Sequence, residues 1–340
     1  MTPFDLHTPS YFSINSPFQA ICAIATIKQL EIEDYRIIVC VRQKNDPRGS
    51  QLYSVLDFFG MQYRVVGPLG RTIERLYMIR SLLHRHNRYQ RLFLGDYRNI
   101  SSFIIGCCFI SDKSDVICLD DGNFTISLLN DILPEPLLPK TIKLLNLISR
   151  RRKIVHGQNL LTIYSDITNP KYQIANLDLS MILSQREMSI SETKGIYIVG
   201  TNIERYCIPL EMSKEVFIDV LDELVCKLRK ENPNESIVYI PHGRDVSMYA
   251  EHICKKYDCE FRRVEMTVEM ELLREHNYPK AVFGFTSSAL YNIKKMFPKT
   301  EVINIFLDVS WDNLVCKGRK LTSDYYVKNG IELQVKQIDR

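Results

Sequence analysis

The chain has 340 residues, 44 Lys and Arg against 40 Asp and Glu, and a net charge of +4, with 45% hydrophobic and 25% charged residues. This is the composition of a soluble globular protein, and at this length two domains are expected, because single cores stop growing at roughly 250–300 residues. The small basic excess argues against a dedicated nucleic-acid binder, and no apolar run approaches the ~18 residues of a membrane span.

Ten cysteines are present, most of them inside apolar runs and none in a CxxC pair. They read as small hydrophobes, so neither a disulfide framework nor a zinc site is expected. The N-terminal "YFSINSPFQAICAIATI" lacks the basic start and long apolar core of a signal peptide. Reduced thiols without a leader point to the cytoplasm.

In chain order, strand-like runs appear at 11–15, 35–41, 63–67, 91–96 and 115–121, with helix-like stretches at 17–31, 51–59, 70–87 and 99–108 between them. The 70–87 stretch sets Ile73, Leu76, Ile79, Leu82 and Leu83 at helical spacing. This alternation predicts a parallel sheet covered by helices. The pattern loosens from 133, where "LPEPLLPK" carries three prolines, through the basic cluster Arg150, Arg151, Arg152 and Lys153, and 157–190 reads as irregular.

A second alternation follows, with strands at 195–201, 236–243, 259–265, 280–287 and 301–307 and helices near 213–230, 246–257 and 288–296. The expectation is an α/β chain of two Rossmann-like αβα domains facing a central cleft, 1–190 and 191–340, with an irregular linker over about 133–190. In such folds ligands gather at the carboxyl ends of the strands. The residues there are polar: Ser16, Pro17 and Gln19; Asp96; Asp120 and Asp121; Gly200 and Thr201; His242, Gly243 and Arg244; Glu269; Thr286, Ser287 and Ser288.

"LDDG" at 119–122 ends an apolar strand on two carboxylates. Burial and a like charge both raise a carboxyl pKa, which suits a general base, while a turn with a helix cap explains the same letters. "YIPHGRD" at 239–245 places His242 and Arg244 after a strand and before an expected helix, a pattern suited to phosphate; a structural turn histidine is the alternative. The hydroxyls of Thr286, Ser287 and Ser288 suit both a helix cap and a phosphate site. Glu265, Glu269 and Glu271 lie between two strands; a carboxylate there can hold a ribose, though a solvated helix face explains each of them.

Taken in order, Asp120-Asp121-Gly122, Pro241-His242-Gly243-Arg244 and Ser287-Ser288 resemble the three motifs of bacterial sialyltransferases. The likeness is to the lipooligosaccharide sialyltransferases and capsular polysialyltransferases, whose N-terminal motifs "NSPFQ" (15–19) and "GDYR" (95–98) resemble and whose nucleotide-binding strand and loop "IYIVGTNIE" (196–204) is similar to. The resemblance implies a GT-B fold and inverting transfer from a CMP-linked nine-carbon acidic sugar to a glycan hydroxyl, with no required metal or other cofactor. It makes Asp121 or Asp120 the base, with Asp121 nearer the turn. His242 contacts or protonates the CMP phosphate, Ser287 and Ser288 bind it, and Glu269 holds the ribose. Ser16, Pro17, Gln19 and Asp96 fall on the acceptor side, and Thr286, Arg244, Gly243, Gly200 and Thr201 on the donor side.

The family carries His-Pro where this chain has His242-Gly243, which frees a backbone N–H and widens the donor to relatives of sialic acid. A GT-B transferase using CMP-Kdo or a UDP-hexose, a sugar-nucleotide epimerase of similar shape, and a non-catalytic glycan-assembly partner are the alternatives. The partners expected are the CMP-sugar and a bacterial surface glycan, with no nucleic acid; a homodimer is left open. The cluster at 150–153 suits peripheral docking at the inner membrane face as well as it suits a solvated helix end.

Overall fold

The computed structural model describes residues 9–40, 47–66, 89–95, 110–132, 159–183, 194–276, 278–309 and 313–338. The chain divides into two compact units, Met1–Ile182 and Leu183–Arg340. The boundary expected near residue 190, the helices expected over 70–87 and 99–108, and the basic cluster at 150–153 lie outside the described residues.

The first unit is built on strands β1 (Ser10–Ile14), β2 (Tyr35–Cys40), β3 (Tyr63–Val66), β4 (Tyr89–Leu94), β5 (Ile110–Leu119), β6 (Asn159–Thr162) and β7 (Gln173–Asn176). They form one sheet in the order β3-β2-β1-β4-β5-β6-β7, and every neighbouring pair is parallel. β1 is buried along its whole length, as a parallel strand covered on both faces must be. Its Phe12 lies in register with Phe93 of β4, and the two rings stack at 4.4 Å.

Helix α1 (Pro17–Gln29) follows β1 at once. The Ser16 hydroxyl caps it and Pro17 occupies its first turn, where a missing N–H costs nothing. It is buried on nearly every side because α2 (Pro47–Phe58) and the turn Leu179–Ile182 pack on it, and Ala20, Ala23 and Ala25 leave room for the approach. The Lys28 Nζ donates to the Ile182 carbonyl at 3.3 Å and pins that turn. The stretch expected to be irregular from 157 therefore holds two strands and this turn. Four-residue strands of mixed polarity carry too little periodicity to be read.

The second unit contains β8 (Ile196–Val199), β9 (Ile237–Ile240), β10 (Glu260–Phe261), β11 (Ala281–Gly284), β12 (Glu301–Asp308) and β13 (Glu332–Gln337), in the order β10-β9-β8-β11-β12-β13, again all parallel. The helix Lys214–Glu231 packs on it through Phe217, Val220, Leu221, Leu224, Val225 and Leu228, the stripe of an amphipathic helix. The strand expected over 259–265 shrinks to Glu260–Phe261.

Numbered from the first strand of each unit, both sheets run 3-2-1-4-5-6, the order of the Rossmann fold, and the first adds a seventh strand. The chain is thus α/β with two Rossmann-like units. The order reverses between β1 and β4 and between β8 and β11. At these points the loops at the carboxyl ends of the strands diverge and leave room for a ligand.

Candidate active site

The carboxyl ends of β1, β4 and β5 bring three sequence motifs of the first unit together. Asp120 and Asp121 follow β5, and Gly122 turns the chain into a helix over Asn123–Leu129. Gly122 has φ 65° and ψ −142°, a conformation essentially closed to residues with a Cβ. The motif requires its glycine for this reason.

The two aspartates occupy different environments. Asp120 is fully buried, and its oxygens accept hydrogen bonds from the Thr162 hydroxyl at 2.6 Å and the Ile163 amide at 2.7 Å. Burial pushes its carboxyl up to about 7; the hydrogen bonds from Thr162, Ile163 and Thr125 act in the opposite direction, and the charge of Asp121 adds to the rise. Asp121 is half-buried. Its Oδ1 accepts from the Gln19 Nε2 at 3.1 Å, and its amide donates to the Thr125 hydroxyl at 3.3 Å. Of the pair, Asp121 keeps exposed surface, and Asp120 stands behind it, tying β5 to β6.

Gln19, which the motif placed on the acceptor side, is itself fully buried. Ser16 caps α1 by accepting the Gln19 amide at 3.3 Å, and Pro17 is buried beside it. Asp96 lies outside the described residues.

In the second unit the loops after β8, β9 and β11 carry the expected donor residues. The Gly200 amide donates to the Ile240 carbonyl at 2.8 Å. A Cβ on Gly200 would fall 2.4 Å from the Tyr239 hydroxyl, so only glycine lets this loop cross the β9 side chain. Thr201 follows, half-buried, and then Asn202. The Asn202 Oδ1 caps the short helix Ile203–Cys207, and its Nδ2 donates to the Arg244 carbonyl at 2.8 Å. The Gly200 loop and the His242 loop are thereby joined.

His242, Gly243 and Arg244 are half-buried. The His242 Nδ1 accepts the Arg244 amide at 3.1 Å, so the neutral ring carries its proton on Nε2. The loop is closed by the Asp245 amide donating to the His242 carbonyl at 2.7 Å. The next helix begins only at Tyr249, so the expectation that His242 and Arg244 stand at a helix N-terminus is corrected. Asp245 is the reason: its Oδ1 accepts the Ser247 amide at 3.2 Å and holds the chain in a turn.

After β11, Thr286 adopts φ +47°, a left-handed conformation that β-branched residues seldom take. Its amide donates to the Asn304 Oδ1 at 2.8 Å, and the Asn304 Nδ2 donates to the Ser323 hydroxyl at 3.0 Å. Ser287 then caps the helix Ser288–Met296 by accepting the Ala289 amide at 3.4 Å. The Tyr326 hydroxyl donates to the Ser287 carbonyl at 2.9 Å. The loop thus ends at a helix N-terminus whose positive dipole end suits an anion, with the Ala289 and Leu290 amides already met by Ser287. Glu269 is buried in the helix Val268–Arg274, and its carboxylate accepts from the Asn292 Nδ2 at 2.7 Å.

Thr162, Asn202 and Asn304 were not singled out in the sequence. Asn304 had a signal, being one polar side chain inside the apolar run "VINIFL". Among the described residues no three His, Cys, Asp or Glu side chains gather as metal ligands would, and no helix is long and apolar enough to cross a membrane.

No protein-family model matches the chain, and no curated protein matches it. Solved structures do. One from Listeria monocytogenes, described as a UDP-N-acetylglucosamine 2-epimerase, is 10% identical with a TM-score of 0.52, covering 88% of this chain and 79% of its own. The sialyltransferase from Photobacterium damsela is 11% identical with a TM-score of 0.52, covering 96% of this chain and 81% of its own. S. aureus MnaA bound to UDP is 12% identical with a TM-score of 0.50, covering 87% of this chain and 79% of its own. At such identities the likeness is one of fold, and it agrees with the strand orders: the chain has the two Rossmann-like units of the GT-B architecture.

Proposed function

We propose that the protein is an inverting glycosyltransferase that moves sialic acid or a related ulosonic acid from a CMP-linked donor to a hydroxyl of a bacterial surface glycan, without a required metal. The observation that carries this reading is the pairing of a buried Asp120 with a half-buried, amide-held Asp121 at the carboxyl end of β5. Asp121 is the base that deprotonates the acceptor hydroxyl. His242, through Nε2, and Arg244 face the donor phosphate, and Thr286, Ser287 and Ser288 hold it at the start of a nine-residue helix. Stabilising the leaving phosphate in this way lets the glycosidic bond break as the hydroxyl attacks the opposite face.

The order of the three motifs favours a CMP-sugar over other donors. A second reading, a sugar-nucleotide epimerase or a transferase using a UDP-sugar, draws on the fold shared with the Listeria monocytogenes protein and S. aureus MnaA. Titration calorimetry with CMP, UDP and GDP separates them, followed by turnover of the CMP- and UDP-sugars with and without glycan acceptors. Tighter binding of CMP, acceptor-dependent release of CMP, and loss of that release in Asp121→Asn are the expected results. Preferential UDP binding with isomerisation of the sugar would replace the proposal by the epimerase.

A further inference from the structure

Gln19 makes no contact with solvent, yet its side chain runs from the end of β1 to the end of β5. Its Oε1 accepts the Asn15 amide at 2.9 Å and its Nε2 donates to the Asp121 Oδ1 at 3.1 Å. These partners fix which way the amide points. A flipped amide would set N–H against N–H at Asn15 and oxygen against carboxylate at Asp121. The backbone is held as well, because the Gln19 amide is the one capped by Ser16.

Gly95, at the end of β4, makes the crossing possible. A Cβ there would lie 2.3 Å from the Gln19 Oε1 and 2.5 Å from its Cδ. The Gly95 amide is tied to the Ser13 carbonyl at 2.9 Å, so β4 cannot move aside. The "NSPFQ" segment, Gly95 and the "DDG" segment therefore meet in one contact: the first supplies the donor, the second the space, the third the carboxylate.

We infer that Gln19 is a positioning residue for Asp121, donating a fixed amide N–H that favours its ionised form and sets its orientation. This rests on the reading of Asp121 as the base. Among the described residues Asp120 is a titratable neighbour of Asp121, and because its carboxyl holds its proton up to about pH 7, Asp121 is the first of the pair to ionise. The Gln19 amide stabilises that carboxylate without adding a charge. Asparagine would be too short for the span, and lysine would replace the amide by a fixed positive charge.

The test is a carbon-13 NMR titration of the aspartate carboxyls in the full-length protein, with Asp121→Asn identifying the signal, alongside the pH dependence of kcat/KM for transfer. Gln19→Leu removes the donor, and Gly95→Ala displaces it while leaving Gln19 in the sequence. In both, Asp121 is expected to titrate about one unit higher, because a hydrogen bond to a charged group is lost. The acid limb of kcat/KM should move with it. Gln19→Glu, closest in shape, should shift Asp121 further upward through its like charge. Should Gln19→Leu or Gly95→Ala not fold, Gln19→Met, which keeps the length of the side chain and removes the donor without adding a charge, decides. Asp121 titrating as in the wild type in the folded variants overturns the inference. Transfer that survives Asp121→Asn would instead overturn the assignment of the base, and the titration would still report on Gln19.

Discussion

The Asn304 side chain meets the main-chain N–H of Thr286, 18 positions earlier in the chain, at 2.8 Å. The contact holds the one threonine of the described residues that has a left-handed backbone, at the place where the second unit turns from β11 into the helix Ser288–Met296. Asn304 is buried at 1% exposure, and its other end is satisfied by Ser323. Asn304→Ala leaves the Thr286 amide and the Ser323 hydroxyl without this partner, at a cost of roughly 2–4 kcal/mol. Urea denaturation should show that loss, and calorimetry should show weaker nucleotide binding, since the loop no longer has one conformation. An unchanged affinity for CMP would mean that the loop keeps its shape without Asn304.

Asp120 gives the stability of the fold a pH dependence with a definite sign. Its carboxyl titrates near 7 in the folded protein against an ordinary value of 3.8, so the folded state binds the proton more tightly. The associated stability is fully present below about pH 4 and is lost as the pH rises through about 7. Over that interval the loss is on the order of 4 kcal/mol. Asp120→Asn cannot ionise. It loses the acceptor facing Ile163, a cost that does not vary with pH. The stability difference between the wild type and Asp120→Asn should therefore shrink steadily from pH 4 to pH 7, read as paired melting temperatures. Parallel curves for the two proteins would show that Asp120 is charged throughout.

Ser287 combines a cap with an expected phosphate contact, and two substitutions separate the roles. Ser287→Ala removes both, costing about 1 kcal/mol for the cap. Ser287→Asp keeps the cap, because aspartate serves there as well as serine, but places a negative charge against the phosphate. Its melting temperature should stay near that of the wild type while its affinity for CMP falls at least about tenfold, or ~1.4 kcal/mol. Wild-type affinity in Ser287→Asp would remove the Ser287 side chain from the nucleotide site.

The elements legible in the sequence were those buried on both faces. "IYIV" and "IVYI" read as strands because nothing but a covered parallel sheet suits four such residues in a row, and β8 and β9 are wholly buried. β13, "ELQVKQ", was not read, since an edge strand with only one covered side keeps its charges. The helix Leu314–Lys328 was not read either; its exposed first turn begins with Leu314 and Val315, which blurs the apolar stripe.

The site was legible as a set of separate motifs and not as a geometry. Gln19 and Asp121 were both singled out, yet nothing local joins residues 102 positions apart. Their meeting follows from the sheet order, which sets β1 and β5 on either side of β4. His242 failed in the opposite way: its neighbourhood was legible, but Asp245 holds a turn that delays the following helix to Tyr249.

The carboxyl sealed behind Asp121 also makes folding a proton-consuming reaction. At pH 6 the unfolded chain leaves Asp120 ionised, whereas the folded chain holds it mostly neutral, so each molecule takes up about one proton from its buffer as it folds. The heat of unfolding will then carry the buffer's own ionisation enthalpy. Scans in phosphate and in imidazole at that pH will differ, and the difference will be smaller for Asp120→Asn by about one proton's worth of buffer ionisation.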